Sequence, residues 1–442
     1  MFMNRFVRDR RGNVAPIFAI AIIPVIGLTG AAIDYSRAAT ARTQLQSAID
    51  AAALALAGEA AGLTADQVTT KGEQYFNANF NSKEVKAPAT VNSTLTFDAS
   101  KGLYTVKVTA SASVDTTFTR ILGVNQIEIG SSGEVVWGMK KLELALALDN
   151  TGSMSSSNKM TELKTATKNL INTLHKAAKK EGDVKIAIIP FATDVNVGTT
   201  NVSASWLDWT DWNNKNGSCT KSSYKTKSTC QSAGGTWTSS SHSNWNGCVW
   251  DRAQSYDVDD TAPGSTSTKF QPHQASNCPV AMLGLTDIFI NNAWVESDVT
   301  ASTPTSVLGQ KVASMTPTGN TNVTIGMAWG WHALTNNEPL TAASAPKTEL
   351  DKVVILLTDG TNTQNRWSSS ATAIDARTKL ACTNAKAAGI KIYTVRVIDG
   401  NASLLKQCAT SETMYYDVQN AAQLNSVFIS IAQNLANLRI VK

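Results

Sequence analysis

Two apolar runs far apart in the chain constrain its fold most: Leu142-Glu143-Leu144-Ala145-Leu146-Ala147-Leu148, closing on Asp149, and Val353-Val354-Ile355-Leu356-Leu357-Thr358, closing on Asp359. Strands this continuously apolar need cover on both faces, which is the situation of a parallel sheet held between helices. The surrounding texture agrees. A helix is predicted from about Lys159 to Lys180, repeating Leu163, Leu170, Ile171 and Leu174 on one face, followed by a strand over Val184 to Ile189. Further strands are expected at Lys352 to Thr358 and Lys391 to Val397, with an edge strand at Met414 to Val418. A closing helix, Ala421 to Leu438, puts Leu424, Val427, Phe428, Ile431 and Leu435 on one core-facing stripe. Strand-helix-strand repeats of this kind imply an α/β fold with a doubly wound parallel sheet.

The turn after the first run reads Asp149-Asn150-Thr151-Gly152-Ser153, a carboxylate and two hydroxyls within five residues. Mg2+ or Mn2+ takes an octahedral shell of hard oxygens and keeps several waters, so alternate residues of a turn at a strand end suit it. Two more pieces lie downstream: Thr321 in the loop Thr318-Gly319-Asn320-Thr321-Asn322, which opens a helix, and Asp359 at the end of the second run. Asp and Thr are common turn formers and helix N-caps. Here all three pieces fall at the carboxyl ends of parallel strands, the usual ligand edge of open α/β sheets.

This constellation resembles the von Willebrand factor type A domain and its metal-ion-dependent adhesion site, whose pattern is Asp-x-Ser-x-Ser, a distant Thr and a distant Asp. Thr151 replaces the first Ser and keeps its hydroxyl. The resemblance implies that Thr151, Ser153 and Thr321 contact the metal, that Asp149 and Asp359 hold charge and order waters, and that one position stays open for an acidic group of a partner.

The N-terminal region is of another kind. From Val14 to Ile33 no residue is charged, and at about 1.5 Å per residue such a helix spans about 30 Å, the hydrocarbon thickness of a bilayer. Arg5, Arg8, Arg10 and Arg11 precede it, while Arg37 and Arg42 follow more thinly, which favours a cytoplasmic N-terminus and an exported body. A cleaved signal peptide is the competing reading, since Gly27 to Ala32 supplies small residues, but the run exceeds a usual signal core. Asp34 to Ala60 reads as helix continuing out of the membrane, and Ala89 to Gly138 as antiparallel strands, together a pilin-like module. The wording Arg10-Arg11-Gly12-Asn13-Val14-Ala15-Pro16-Ile17-Phe18-Ala19 and Ala32-Ile33-Asp34-Tyr35-Ser36-Arg37-Ala38 is similar to the TadE/TadG family of tight-adherence (Flp-type) pilus-assembly proteins. TadG-like members join such a segment to a type A domain. Ile17 stands fifth after Gly12, where cleaved prepilins carry Glu, so the anchor is expected to stay uncleaved.

Expected boundaries are therefore 1–34 for the basic flank and anchor, 35–138 for the pilin-like module and 139–442 for the type A domain. Between about Thr199 and Ser306 the α/β rhythm gives way to a Ser/Thr/Trp/Cys-rich insertion, too long for an ordinary loop. The six cysteines include no Cys-x-x-Cys pair, and His175, His242, His273 and His332 lack metal-ligand spacing, so disulfides are expected rather than zinc. Cys382 and Cys408 flank one strand and suit each other; Cys219, Cys230, Cys248 and Cys278 admit three pairings, of which Cys219–Cys230 with Cys248–Cys278 is favoured. The insertion's tryptophans, Trp206, Trp209, Trp212, Trp237, Trp245 and Trp250, read first as a substitute core and second as an aromatic binding face.

The net charge of +5 is dispersed, with no arginine-rich tract or base-stacking motif, which argues against nucleic acid as a partner. No His-Glu-x-x-His, nucleophile elbow or phosphate loop is present, so no enzymatic activity is expected. The expectation is a membrane-anchored, exported component of a pilus system that binds an acidic group of a protein partner, a pilin or another envelope component, through the metal. The alternative is a surface or matrix adhesin that grips host or abiotic material with the type A domain and its Trp-rich insertion. A cytosolic type A partner of a chelatase ATPase would conflict with the anchor and the cysteines.

Overall fold

The computed structural model describes residues 14–60, 63–98, 103–138 and 141–437. The chain divides into two compact units, with the sequence boundary between residues 139 and 140.

The first unit opens with helix α1, Val14–Ala57, the continuous rod expected from the uncharged run and its Ala-rich sequel. Its surface changes character along its length. Ile17, Phe18, Ile20, Ile23 and Leu28 are exposed, whereas Ala38, Ala41, Leu45, Ala48, Ile49, Ala52 and Leu56 are buried. A second helix, α2 (Ala65–Asn79), was not anticipated; the capping box of Thr64 and Gln67 starts it, a short Thr-x-x-Gln signal easily lost in a polar stretch. Strands β1 (Thr90–Asp98), β2 (Leu103–Asp115) and β3 (Gln126–Gly138) form an antiparallel meander in that order. Val106, Val108, Ala110, Ala112 and Val114 alternate inward along β2 onto α1 and α2, as the period of two requires.

The second unit is built on β4 (Lys141–Asp149), β5 (Val184–Phe191), β6 (Leu350–Thr358), β7 (Lys391–Val397) and β8 (Tyr415–Val418). They run parallel in the spatial order β5-β4-β6-β7-β8, so β8 is the edge strand. Helices α3 (Lys159–Ala177), α4 (Val307–Ser314), α5 (Val323–His332), α6 (Ala371–Ala387), α7 (Ala402–Cys408) and α8 (Leu424–Asn437) cover both faces. One core packs Leu163, Leu170, Ile171 and Leu174 of α3 and Leu424, Phe428, Ile431 and Leu435 of α8 onto Leu144, Leu146 and Leu148. Val427 of the expected stripe is only half-buried, and Leu438 lies outside the described residues. The opposite core packs Ile325, Met327 and Trp329 of α5 and Ala381 and Ala385 of α6 onto Ala145, Ala147, Val354 and Leu356. Small alanines on that face of β4 leave room for the indole of Trp329, which is 1% exposed.

The insertion modifies the expected all-parallel sheet into a mixed one. Val195–Asn196, Cys248–Trp250 and Gln271–Pro272 add short antiparallel strands outside β5, and Leu283–Asp287 also pairs antiparallel with β5. Trp206, Trp212 and Trp245 are buried, and Trp206 meets Phe270 and Trp329 edge-on at 5.8 and 6.5 Å. Disulfides Cys219–Cys230, Cys248–Cys278 and Cys382–Cys408 are formed, the pairing favoured above. Cys248–Cys278 staples the added strands, while Cys382–Cys408 joins α6 to α7.

Candidate metal centre

The site grows out of the ends of β4 and β6, adjacent strands in register from Leu350 opposite Lys141 to Leu357 opposite Leu148. This neighbourhood brings the carboxylates of Asp149 and Asp359 to one edge, both buried. Asp149 accepts the N–H of Thr151 on Oδ1 at 2.8 Å and the Thr358 hydroxyl on Oδ2 at 2.6 Å. The first bond is an Asx turn that folds the chain back so that Thr151 Oγ1 and Ser153 Oγ lie 3.1 Å apart. Ser153 then donates to Asp359 Oδ1 at 2.6 Å, closing a chain of oxygens from β4 to β6.

Thr321 joins them from the loop before α5. Its N–H donates to Thr363 Oγ1 at 2.9 Å, and its carbonyl accepts the Thr363 N–H at 2.9 Å. A Cβ placed on Gly360 would sit 3.4 Å from Thr321 Oγ1 and 3.7 Å from Ser153 Oγ, so the two hydroxyls border the same space beside the glycine that follows Asp359. The loop is pinned to the Asp149 turn by Gly152 N–H to Gly319 carbonyl at 3.0 Å and Thr318 N–H to Asn150 carbonyl at 2.7 Å. Gly319 takes a φ of +71°, open to a residue without a Cβ. Thus Asp149, Thr151, Ser153, Thr321 and Asp359 stand around one space, with Ser153 exposed and the others buried. The set is three hydroxyls and two carboxylates, the hard oxygens that suit Mg2+ or Mn2+. Among the described residues no three His, Cys, Asp or Glu side chains gather as an alternative cage.

Two participants escaped sequence reasoning. Thr358 reads as an ordinary β residue, and its role as donor to Asp149 depends on the β4–β6 pairing. Lys159, first residue of α3, is 3% exposed and places Nζ 2.7 Å from Asp359 Oδ2 and 3.5 Å from the Ser153 carbonyl. Its spacing of six from Ser153 was visible, but a lysine at a helix start looks like a solvated charge. With Asp149 and Asp359 ionised and Lys159 protonated, the formal charge of this cluster is −1.

Beyond Thr321, Asn322 caps α5 by accepting the Ile325 N–H at 3.3 Å and donates to both oxygens of buried Asp251 at 3.1 and 3.0 Å. Burial pushes the Asp251 carboxyl up to about 6, against the pull of the Arg366 N–H and the Asn322 amide. The Arg366 guanidinium donates to the Asp251 carbonyl at 3.0 Å and lies 5.4 Å from the Trp250 ring, on which His273 stacks at 4.0 Å. The insertion therefore sets a half-exposed aromatic with cationic neighbours beside the oxygen cluster.

Burial, and then the neighbouring Asp359 charge, push the Asp149 carboxyl up to about 6, with the Thr151 and Thr358 hydrogen bonds pulling the other way. A carboxyl that holds its proton more tightly folded than unfolded stabilises the fold at low pH, and that contribution fades as pH rises through 6. In chelator, the wild type should lose stability relative to Asp149→Asn between pH 4 and pH 7, by up to about 1.4 kcal/mol per pH unit. Urea unfolding at several pH values reads this; parallel pH dependences for the two proteins would contradict it.

The Tad family, described as "Putative Flp pilus-assembly TadE/G-like", matches residues 12–61, and the von Willebrand factor type A domain matches residues 291–429. The second match contains Thr321 and Asp359; the Asp149 turn lies before the insertion and joins them through the fold. No curated protein matches the chain in sequence comparison. Among solved structures, the pilus adhesin SpaC of Lactobacillus rhamnosus GG is 13% identical with a TM-score of 0.39, over 81% of this chain and 36% of that one. The von Willebrand domain of the type V pilus tip protein Mfa5 of Porphyromonas gingivalis is 13% identical with a TM-score of 0.38, over 69% of this chain and 97% of that one. Proximal thread matrix protein 1 of the mussel byssus, with a zinc-occupied metal-ion-dependent adhesion motif, is 12% identical with a TM-score of 0.34, over 67% and 48%. Likenesses this distant carry no ligand or partner across. The two family matches are specific to their segments: the chain carries a TadE/G-like segment at its N-terminal end and a von Willebrand factor type A domain toward its C-terminal end.

Proposed function

We propose that this protein is a membrane-anchored, exported, non-enzymatic component of a tight-adherence (Flp/Tad) pilus system, whose type A domain takes an acidic group of a protein partner through Mg2+ or Mn2+. The observation that carries this reading is the convergence of Thr151, Ser153 and Thr321 hydroxyls on the buried Asp149 and Asp359. The TadE/G-like match and the single apolar helix long enough to cross a membrane, among the described residues, support the anchoring. The three disulfides suit an oxidising compartment and so a periplasmic or extracellular body.

A bound divalent ion would supply Lewis-acid affinity for a carboxylate. The protein's own residues set the charge balance: a cluster at −1 becomes +1 on gaining the ion, and a partner carboxylate brings it to neutrality. In this reading Lys159 is what keeps the loaded site attractive to acids.

Direct adhesion is the second reading, favoured by the half-exposed Trp250 with Arg366 and Lys215 each 5.4 Å from its ring. Complementing a deletion strain with wild type or with Asp149→Ala/Asp359→Ala separates the two, provided both proteins accumulate equally in the membrane. Loss of pili is expected. Normal pili with lost adherence would transfer the function to the adhesin, and no defect in either would refute a role for the site.

A further inference from the structure

The apolar surface of α1 continues onto a neighbouring loop of its own unit. Between β2 and β3 the chain makes a short helical turn, Thr119–Leu122, closed by Gly123 at φ +88°. Ile121 is 86% exposed and Leu122 71%, with Val124 and Phe118 also open. A water-facing turn has no reason to present four such side chains together.

The loop is fastened where the helix surface changes character. Asp34, buried at that boundary, accepts the N–H groups of Thr117, Phe118 and Thr119 at 3.0, 2.9 and 2.8 Å, and the Thr119 hydroxyl at 3.0 Å. Arg37 donates to Thr117 Oγ1 at 3.0 Å. Phe118 lies on Gly30 so closely that a Cβ there would be 2.4 Å from the Phe118 Cβ. Gly30 precedes Asp34 by about 6 Å along the helix axis, so the loop lies alongside the last turn of the exposed apolar stretch. Arg120 in the turn is exposed, and Tyr35 on the helix is 72% exposed. Long cationic and aromatic side chains at such a level reach the headgroups while apolar neighbours enter the acyl boundary.

We propose that the Phe118–Val124 loop is a second membrane contact, inserting Ile121 and Leu122 into the phospholipid interface beside α1. The occupant is lipid because the patch is continuous with the surface of the spanning helix; the proposal rests on the reading that α1 crosses the membrane. Clamped through Asp34, the loop makes a two-point contact that a single helix lacks, restricting tilt of the first unit on the bilayer.

All six native cysteines are in disulfides, so the full chain accepts single reporter cysteines. Nitroxide labels on Leu122→Cys, Leu28→Cys and Lys107→Cys are compared in vesicles of phosphatidylethanolamine and phosphatidylglycerol, by collision with oxygen, which favours lipid, and with a water-soluble nickel chelate. Leu122→Cys should shift to the oxygen-dominated ratio of Leu28→Cys, away from the nickel-dominated Lys107→Cys. With Leu28→Cys in lipid, a Leu122→Cys label open to nickel overturns the proposal, and one shielded from both reagents overturns it in favour of a protein neighbour. Leu28→Cys in water would overturn the anchor itself, and the loop contact with it.

Discussion

Asp149→Asn should cost at least about 100-fold in Mg2+ or Mn2+ affinity while leaving the sheet folded. The substitution keeps volume and keeps an oxygen to accept the Thr151 N–H at the position of Oδ1. It removes the charge that faces the three hydroxyls, and a divalent ion near a buried carboxylate is bound mainly by that charge. Asp359→Ala should also abolish binding, but it strands Lys159 without its buried partner, so its lost affinity is mixed with lost stability. Titration calorimetry with an unchanged circular dichroism spectrum reads the first variant cleanly. Wild-type affinity in Asp149→Asn would remove Asp149 from the metal assignment.

The second large effect belongs to Lys159. Its ammonium and Asp359 pair at 2.7 Å with side-chain exposures of 4% and 0%, and stripping one member from a buried pair costs about 3–5 kcal/mol because the other charge stays buried alone. Lys159→Met fills similar space without charge, leaving Asp149 and Asp359 to repel each other. The metal-free variant should therefore melt well below wild type. Added Mg2+ should recover most of the difference, since a ligand that binds only the native state stabilises it in proportion to its affinity. Metal affinity should rise in this variant and affinity for an acidic peptide should fall, because the loaded cluster becomes neutral instead of +1. Thermal melts with and without Mg2+ test this; a variant as stable as wild type in chelator would show that Lys159 is not the internal counter-ion.

Much of this architecture was legible because burial writes a strong pattern. Leu144 to Leu148 and Val353 to Leu357 are apolar on both faces, as sandwiched strands must be, and the stripes on α3 and α8 have the helical period. The convergence of Asp149, Thr151, Ser153, Thr321 and Asp359 on one edge could be anticipated from their positions at strand and loop ends. Lys159 and Thr358 could not, because their significance lies in which strands are neighbours, and pairing across long separations leaves no local trace. The same holds for the insertion. Val195–Asn196 and Gln271–Pro272 are strands of two residues each, too short for any periodicity, and only the sheet edge of β5 makes them strands. Helix α2 was missed for the opposite reason: it is locally well capped, but its buried residues, Val68, Gly72 and Phe76, are few and spaced through polar sequence.

The position of β4 has a further consequence for how the chain is made. One side of β4 is filled by β5, which begins at Val184, but the other waits for β6, which begins at Leu350. At about 5–20 residues per second, the roughly 200 residues between Asp149 and Leu350 take about 10–40 seconds to synthesise. Throughout that interval a nascent chain carries Leu142 to Leu148 with one backbone edge unsatisfied, a template for pairing with any other extended segment. Keeping that edge from pairing wrongly until Leu350 and the residues after it arrive is thus a demand the topology places on the cell before the domain exists.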